Sequence, residues 1–582
     1  MAAVMNISDP KPDIPCTAQE PHLREVAGSH YAACRNASQI PRKEIALKHT
    51  VFTSTGALLL SAAAVVALTS CAGSGTSSGT DSTGISTGLV GEQSDGGEPI
   101  AGGTLSFATF NGVSSLDPAD RQDGGATGGS EMASIYDLLI RYDAQTQEYQ
   151  PQLAQSLEAN SDNTIWTLKL RPNATFSDGT AVDAAAVQWS INHYLDKKAT
   201  HSQVWKGTVA DIQSSDPATV IFTLRQPWNE FPIMFTTGPG MVVAPSSMAS
   251  GTFAPIGAGP FTVEKFASQD ELVLAANPQY WNGKPNLDKL RFPAIVSEQA
   301  KLDALHTGGI QAAYLRGAEV VHNALAAGDV GYVYSASMGD NLAINQRPGR
   351  ATSDVRVRKA IAAASNPEIF LQRAQAGFGS PGTEMFQSWS RWHGEIAGPG
   401  YDPEAAKKLL AEAKADGYDG KLTYVGLNDP GTQQSALAVQ SMLQAVGFTV
   451  DIVYATSIND LVKRMYAQHD YDIGNSGFNI LDESPYVRMY GNFYSESPSN
   501  VLGYQNPEMD TLLGKLQTAP SESERRMVLE KIQTLVNETV PSVPLSAAKL
   551  FIPWSKNVHG VTPSADGIML FGKTWLSNDS SQ

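Results

Sequence analysis

The side chains with the clearest chemical potential lie in one short segment, FNILDESPY, which follows an alternating, strand-like run. Its carboxylate, Asp482, can pair with a cationic group of a ligand, because a charge-assisted hydrogen bond is stronger than a neutral one. Phe478, Asn479 and Tyr486 flank Asp482 and are candidate contacts of the same ligand. Ligands of α/β folds bind beyond the carboxyl ends of strands, so this position predicts a binding site. A solvated loop acid is the alternative interpretation.

A second candidate group is formed by Trp389, Arg391 and Trp392 in the run FQSWSRWH. Two indoles three residues apart can stack on the faces of sugars or peptides and form the walls of a cleft. The guanidinium between them can meet a carboxylate. The same pattern is typical of two core anchors in an irregular loop, so both interpretations stay open.

Patterns for catalysis and for metal binding are missing from the sequence. It contains no G-x-x-x-x-G-K-[ST] loop and no G-x-S-x-G turn, which argues against an ATPase and against a nucleophile with its base. The ten His residues show no HxxxH or HxH spacing, so neither a metal site nor a cofactor is expected. His393 and His469 are isolated candidates for contact with a metal chelate.

Length and charge limit the classes of protein further. At 582 residues the chain exceeds one small domain, and its 19 Phe, 19 Tyr and 9 Trp can fill large cores, which excludes wholesale disorder. The net charge of −17 argues against a nucleic-acid binder, which needs a concentrated basic face.

Residues 1–70 are predicted to be an N-terminal extension and a signal peptide. The apolar stretch 51–68 is short for a membrane span of about 20 residues and fits a signal-peptide core. Its last residue begins the run Leu-Thr-Ser-Cys, which resembles a bacterial lipobox and implies lipidation of Cys71; a buried helix before a chance cysteine is the alternative. Residues 71–102 are rich in Gly, Ser and Thr and are predicted to form a flexible tether. Because the polar start is unusual for a signal peptide, we infer that translation begins at Leu47.

The rest of the chain alternates between strand and helix patterns. Asp183, Asp354 and Asp402 each precede a helical run and are predicted N-caps. Residues 130–141 are spaced like a helix, whereas no long helix is indicated between 213 and 292. After residue 345, the order strand, helix, strand, helix predicts a largely parallel sheet.

Several segments, in one order, resemble the family 5 extracytoplasmic solute-binding proteins of ABC importers. The resemblance spans residues 100–575 and rests on runs such as PQLAQSLEANSDNTIWTLKLRPNATFSDGT, GAGPFTVEKF, LVLAANPQYWNGKPNLDKLRF and YDPEAAKKLLAEA. It implies an α/β fold of the two-lobed, class II periplasmic-binding-protein type, with an additional β-rich subdomain in lobe I. The implied boundaries are 103–341 for lobe I, 146–275 for its subdomain, 342–542 for lobe II and 543–582 for the return to lobe I.

The resemblance also implies a function without catalysis. In peptide-binding members, an aspartate in the neighbourhood of Asp482 pairs with the α-ammonium group of the ligand, and the region of Phe110 and Asn111 faces the cleft. We therefore expect capture of oligopeptides or dipeptides between two lobes that hinge near 342–346 and 543–549. The expected partners are the ligand, an ABC permease with its ATPase subunits, and the outer face of the cytoplasmic membrane, to which a monomer is anchored by lipid.

Four alternatives stay open at this point. An oligosaccharide receptor is favoured by the two tryptophans, and a metal-chelate receptor would share the same fold. An extracytoplasmic hydrolase belongs to another class and is disfavoured because no catalytic constellation is visible. A sensing or adhesion lipoprotein would have the same anchor without a transporter.

Overall fold

The structure is a computed structural model and describes residues 87–93, 95–120 and 122–578. The inferred start at Leu47, the signal-peptide core and the lipidation site Cys71 lie outside the described residues. Within those residues, none of the helices combines the length and the apolar character needed to cross a membrane.

The described chain contains strands and helices of many lengths, of which two strands are unusually long. The strands are β1 (Gly88–Val90), β2 (Thr104–Ala108), β3 (Ile140–Asp143), β4 (Glu148–Pro151), β5 (Ala154–Ala159), β6 (Ile165–Leu170), β7 (Val209–Asp216), β8 (Thr219–Leu224), β9 (Phe261–Ala267), β10 (Glu271–Ala276), β11 (Lys289–Pro293), β12 (Ala312–Ala313), β13 (Val330–Ile344), β14 (Ser380–Pro381), β15 (Lys421–Leu427), β16 (Thr449–Ala455), β17 (Ile473–Asn475), β18 (Ser542–Trp554), β19 (Val558–His559), β20 (Thr562–Pro563), β21 (Met569–Leu570) and β22 (Trp575–Leu576). The α-helices are α1 (Gly129–Tyr136), α2 (Ala184–Asp196), α3 (Ser202–Thr208), α4 (Glu298–His306), α5 (Ala318–Ala326), α6 (Val355–Ala364), α7 (Pro367–Ala374), α8 (Pro403–Ala415), α9 (Pro430–Ala445), α10 (Ile458–Val462), α11 (Pro485–Phe493), α12 (Pro507–Thr518) and α13 (Glu522–Thr539).

One large mixed sheet joins the two lobes. Its strand order is β16-β15-β17-β13-β18-β12-β2-β11-β10-β9, with β1 beside β13 and β14 beside β18. The long strands β13 and β18 are antiparallel neighbours and belong to both halves of the sheet. In lobe II, β15 pairs in parallel with β16 and with β17, and helices connect these strands. The expected two-lobed α/β fold is therefore confirmed.

The pairing of β13 with β18 is irregular where the chain passes from one lobe to the other. The register shifts between Ala336 and Asp340, and Met338 has a φ of 55°. A Cβ atom on Gly339 would overlap with the backbone of Ala548, so this close approach requires glycine. The predicted hinge segments 342–346 and 543–549 lie beside this irregularity, and movement about them stays a prediction.

A separate antiparallel sheet in lobe I has the order β5-β6-β8-β7. Its core is an aromatic cluster in which the rings of Trp205, Phe222, Phe231 and Phe235 lie with centroids 5.1–5.8 Å apart. Burying each of these side chains contributes about 1.5–3 kcal/mol to folding. The sheet occupies the region where the sequence predicts a β-rich subdomain, whose limits stay a prediction.

Three helix starts follow the predicted capping chemistry. The side chains of Asp183, Asp354 and Asp402 accept hydrogen bonds from backbone N–H groups in the first turns of α2, α6 and α8. Each cap satisfies a backbone donor that has no partner inside the helix.

Two segments differ from their sequence-based prediction. Residues 88–90, predicted as flexible tether, form β1 because their backbone pairs with the edge of β13. The helix predicted over residues 130–141 is α1 and ends at Tyr136. It stops because Asp137 has a φ of 60° and turns its carboxylate to the Tyr280 hydroxyl and the Trp281 indole N–H, both at 2.8 Å.

Candidate functional site

A cavity of about 510 Å³ lies between the lobes. It is lined by side chains of both lobes and of the C-terminal segment, namely Phe110, Asn111, Asp123, Gly124, Ala126, Thr127, Thr200, His201, Tyr314, Arg316, Tyr334, Ala336, Tyr466, Asn479, Leu481, Arg488, Leu550 and Asp566. Its size falls within the range of roughly 300–1,000 Å³ that small-molecule sites occupy.

The lobe I wall begins where β2 ends. Phe110 packs on Tyr314 with ring centroids 5.7 Å apart, and its carbonyl accepts a hydrogen bond of 3.1 Å from Lys301. Burial lowers the pKa of Lys301 to about 8, partly offset by Glu298. The anchored carbonyl fixes the backbone that presents Phe110 and the exposed Asn111 to the cavity.

A glycine-rich loop and the C-terminal segment form the next part of the wall. The Gly125 N–H donates to Oδ2 of Asp566 at 3.1 Å, and a Cβ at Gly125 would overlap with the Asp566 carbonyl oxygen. The guanidinium of Arg488, on α11 of lobe II, donates to the same Oδ2 at 3.2 Å. The two lobes are thus joined at the cavity by an ion pair whose acid is held by a backbone donor.

Asp123 is the second acid of the lobe I wall and is almost fully buried. Its carboxylate accepts hydrogen bonds from the Tyr194 hydroxyl and, at 2.9 Å, from the Thr200 hydroxyl. The neighbouring His201 is buried, and burial lowers the pKa of its imidazole. Asp123 therefore adds a second carboxylate to the wall, beside a histidine whose pKa is lowered by burial.

The lobe II wall is a segment that carries Asn479, whose φ is 48°, and Leu481. It is held against the irregular part of β13 because Ser337 and Ile480 exchange two backbone hydrogen bonds of 2.9 Å. Asn479 and Leu481 both line the cavity. The Asn479 amide oxygen lies 3.5 Å from a guanidinium nitrogen of Arg316, which belongs to lobe I.

Three of the predicted site residues line this cavity: Phe110, Asn111 and Asn479. Asp482 does not, because its carboxylate accepts hydrogen bonds from the Ser390 hydroxyl at 2.6 Å and from the Arg391 N–H at 3.1 Å. Burial raises the pKa of Asp482, and these two hydrogen bonds partly offset the rise. These protein donors already occupy the carboxylate, so the arrangement does not support a ligand contact of Asp482. That contact stays a prediction.

The other predicted residues lie around Asp482 and away from the cavity. The Trp392 indole, 1% exposed, and the Arg391 guanidinium both donate to the Asp482 carbonyl, at 2.8 Å and 2.6 Å. Phe478 and Tyr486 are buried, and Trp389 is half-buried and does not line the cavity. Of these side chains, Tyr486 packs on Trp228 of lobe I and Arg391 donates to Gln147 of lobe I, and any role in ligand contact stays a prediction.

Sequence reasoning missed the charged residues of the cavity: Asp123, Arg316, Arg488 and Asp566. They come from four distant segments, and their spacing in the sequence does not connect them. The glycine-rich run DGGATGG, which begins at Asp123, was the one local signal for a close backbone approach.

In the described residues, no group of three or more His, Cys, Asp or Glu side chains is placed to hold a metal ion. His393 and His469, the isolated candidates for a metal chelate, each place Nδ1 within hydrogen-bond distance of a backbone carbonyl of the same local segment. Neither lines the cavity.

Comparison with known proteins places this architecture in one family. The chain is 25% identical over 444 residues to the probable D,D-dipeptide-binding periplasmic protein DdpA of Escherichia coli, covering 73% of this chain and 85% of the relative. It is 25% identical over 491 residues to di/tripeptide-binding protein 2 of Pseudomonas aeruginosa, covering 78% and 92%. The solved oligopeptide-binding protein AppA of Bacillus subtilis, in complex with a nonapeptide, shares the fold with a TM-score of 0.71 at 19% identity, over 83% of this chain and all of that one.

The family model described as bacterial extracellular solute-binding proteins, family 5 middle, matches residues 148–500. This range includes the four-stranded sheet, the crossing strand β13 and most of lobe II. The chain therefore belongs to the family 5 bacterial extracellular solute-binding proteins.

Proposed function

We propose that this protein is the substrate-binding component of an ABC importer and captures short peptides between its lobes. The observation that carries the proposal is the cavity, whose wall is built from both lobes. Two relatives named for binding dipeptides or tripeptides support the choice of ligand. The cavity of about 510 Å³ favours a peptide of a few residues over a long one.

Binding is coupled to closure by differential affinity. A ligand that contacts Phe110 and Arg316 of lobe I and Asn479 of lobe II makes both sets of contacts only when the lobes are closed. Such a ligand shifts the population toward the closed form, and the irregular β13–β18 pairing is where the sheet is expected to bend. The closed form then docks on the permease. Binding and delivery involve no covalent step.

Lipidation of Cys71 would hold the protein at the outer face of the cytoplasmic membrane. The supporting observations are the lipobox-like sequence and the Gly/Ser/Thr-rich run that follows it. The permease and its ATPase subunits complete the importer, and the receptor acts as a monomer. Mass spectrometry of the membrane-bound form should show a diacylglyceryl group on Cys71, and an unmodified cysteine would contradict the anchor.

The ligand is tested by native mass spectrometry of the full-length protein purified from cells grown in rich medium. We expect release of peptides of two to a few residues on denaturation. Ala126→Trp, which places an indole in the cavity wall, should abolish their retention. Ala249→Trp, at an exposed position outside the cavity, is the matched control and should retain them.

Other results of the same experiment distinguish the alternatives. A retained sugar or metal chelate would overturn the peptide ligand and keep the receptor. Turnover of peptide or glycoside substrates by the purified protein would overturn the receptor in favour of a hydrolase.

A further inference from the structure

Glu483 is an acid of lobe II that is covered by lobe I and the C-terminal segment. Its carboxylate accepts a hydrogen bond of 3.1 Å from the Asp566 N–H, and its backbone carbonyl accepts one of 3.2 Å from the Tyr149 hydroxyl. Together with Ile233 and Met234 of lobe I, Glu483 lines a small cavity of about 30 Å³ beside the large one. Separation of the lobes removes these contacts and exposes the carboxylate to water.

The C-terminal segment that carries Asp566 is fixed to lobe I on both sides of that residue. Before it, the Ser564 hydroxyl accepts a hydrogen bond of 3.1 Å from the Tyr142 N–H. After it, the Met569 N–H donates to the Ser130 hydroxyl at 2.9 Å. Asp566 therefore belongs to lobe I mechanically, and its hydrogen bond to Glu483 crosses from one lobe to the other.

Three other carboxylates lie near Glu483. Asp482 precedes it in the chain, and Asp566 contacts it from the C-terminal segment. Glu230 of lobe I accepts a hydrogen bond of 3.2 Å from the neighbouring Ser484. The charges of Asp482 and Asp566 oppose a negative charge on Glu483. Ionisation of Glu483 is therefore unfavourable while the lobes are in contact.

The cations of this region are engaged by other groups. They and their partners are Arg488 with Asp566, Arg525 with Glu230, and Arg391 with the Asp482 carbonyl. Among the described residues, none of these guanidinium groups forms an ion pair with Glu483. His201 lines the same small cavity, and burial lowers the pKa of its imidazole. The acid is therefore covered without a compensating positive charge.

Three tyrosines complete the surroundings of Glu483. The Glu483 charge acts on Tyr142, Tyr149 and Tyr332, and burial raises the pKa of all three hydroxyls, so they stay neutral. Burial in this neighbourhood raises the pKa of Glu483 to about 7. The groups that impose this change are those that leave when the lobes separate.

We propose that Glu483 couples closure of the lobes to the uptake of one proton, so that acid favours the closed, ligand-holding form. The inference rests on the proposed function, which supplies the closing motion, and adds a dependence of ligand retention on external pH. In the open form, water surrounds the carboxylate and the pKa returns toward 4.5. Between about 4.5 and about 7 the closed form binds more protons, so closure weakens as pH rises through this range.

The test measures proton uptake when trialanine binds to the full-length protein, first freed of retained ligand by reversible denaturation. Calorimetric titrations between pH of about 4.5 and about 7, in buffers that differ in ionisation enthalpy, give the number of protons taken up. Glu483→Gln has no group to titrate, so it should take up fewer protons than the unmodified protein. Its affinity should also lose the decline with pH that Glu483 causes, which is at most about tenfold per pH unit for a single proton. Equal uptake and equal pH dependence in the two proteins would overturn the inference and leave the receptor intact.

Glu131→Gln is the matched control. Burial raises the pKa of Glu131 to about 7 as well, but its carboxylate accepts a hydrogen bond from Thr109 of the same lobe. The control should therefore keep the proton uptake of the unmodified protein. His201 contributes with the opposite sign, because burial lowers its pKa, and this contribution is common to all three proteins. A loss of uptake in Glu131→Gln equal to that in Glu483→Gln would contradict the assignment to the contact between the lobes.

Small-angle X-ray scattering of the ligand-free protein decides the question if trialanine does not bind or if Glu483→Gln does not fold. The radius of gyration of the unmodified protein should increase as pH rises from about 4.5 to above about 7, because the lobes separate. This response without binding of trialanine would contradict the proposed ligand and support the inference. A radius of gyration that is unchanged across this range would overturn the inference.

Discussion

The two lobes meet in two regions that differ in how their polar groups are satisfied. One is the cavity. The other, which we name the packed contact, consists of Gln147, Tyr149, Trp228 and Glu230 of lobe I against Arg391, Asp482–Tyr486 and Arg525 of lobe II. In the packed contact, polar groups pair across the lobes: Tyr149 with the Glu483 carbonyl at 3.2 Å, Ser484 with Glu230 at 3.2 Å, and Arg525 with Glu230 at 3.3 Å. In the cavity, Arg316 and one oxygen of Asp566 keep unused capacity.

We infer from this difference that the packed contact determines how the lobes fit together, whereas the cavity selects the ligand. The apolar centre of the packed contact is the Trp228–Tyr486 pair, with centroids 5.3 Å apart. Changes there should alter stability and the affinity for all ligands alike. Changes in the cavity should alter discrimination among ligands.

The largest expected effect is that of Trp392→Ala, because Trp392 supports the packed contact through the Asp482 carbonyl. Removing a buried indole costs about 3–5 kcal/mol, and the Asp482 carbonyl also loses its N–H donor. Urea unfolding followed by circular dichroism measures the change in the free energy of unfolding. Trp389→Ala, at a half-buried position, is the control and should cost clearly less. Equal losses would mean that Trp392 is not an anchor of this contact.

Glu483 should make stability depend on pH. Burial raises its pKa from 4.5 to about 7, so between these values the unfolded chain loses a proton that the folded protein keeps. Stability therefore falls as pH rises from about 4.5 to about 7, by at most about 3 kcal/mol from this group. Glu483→Gln should remove this part of the fall. The measurement is the free energy of unfolding in urea at several pH values across the range. An unchanged pH profile would show that Glu483 is already ionised in the folded state.

Glu131→Gln provides the comparison within lobe I. Burial raises the pKa of Glu131 to about 7 as well, and its carboxylate accepts a hydrogen bond from Thr109. Glu131→Gln should therefore also reduce the fall in the free energy of unfolding over this pH range. Because the two acids act independently, the effects of Glu131→Gln and Glu483→Gln should add. A strongly non-additive result would mean that the two acids are coupled.

Asp482→Ala should act on stability rather than on ligand choice. The Ser390 hydroxyl and the Arg391 N–H lose their acceptor, which costs about 1–3 kcal/mol. Free and N-acetylated trialanine should lose affinity by the same factor in calorimetric titration. A loss confined to the free peptide would instead establish Asp482 as the partner of the ammonium group.

The smallest expected effect is that of Tyr149→Phe. It removes one hydrogen bond between the lobes and should destabilise the closed form by about 0.5–1.5 kcal/mol. All peptides should then bind weaker by one common factor. Tyr418→Phe, whose hydroxyl bonds to the nearby Lys421 carbonyl within lobe II, is the matched control and should leave affinity unchanged. Different factors for different peptides would place Tyr149 in the ligand site.

Sequence reasoning reached the fold because its signals are local. The caps at Asp183, Asp354 and Asp402 and the alternation of strand and helix in lobe II need only neighbouring residues. The helix that stops at Tyr136 shows the limit, because Asp137 is turned by Tyr280 and Trp281, which are distant in the chain.

The site was harder to predict for two physical reasons. In the segment 478–482, Asn479 has a φ of 48°, so side-chain directions cannot be read from strand alternation: the conspicuous Asp482 contacts Ser390 and Arg391, and the plain Leu481 lines the cavity. Arg316, Arg488 and Asp566 meet only through tertiary packing, and no spacing in the sequence connects them.

The central position of β18 has a consequence for how the chain folds. Val333 of β13 pairs with Phe551 of β18, and β12 also pairs with β18, so the middle of the large sheet needs a strand near the end of the chain. Neither lobe can complete its sheet while β18 is still being synthesised, and closing such long loops makes folding slow. The large sheet should therefore form only after translation has passed Trp554, in a single cooperative step shared by both lobes.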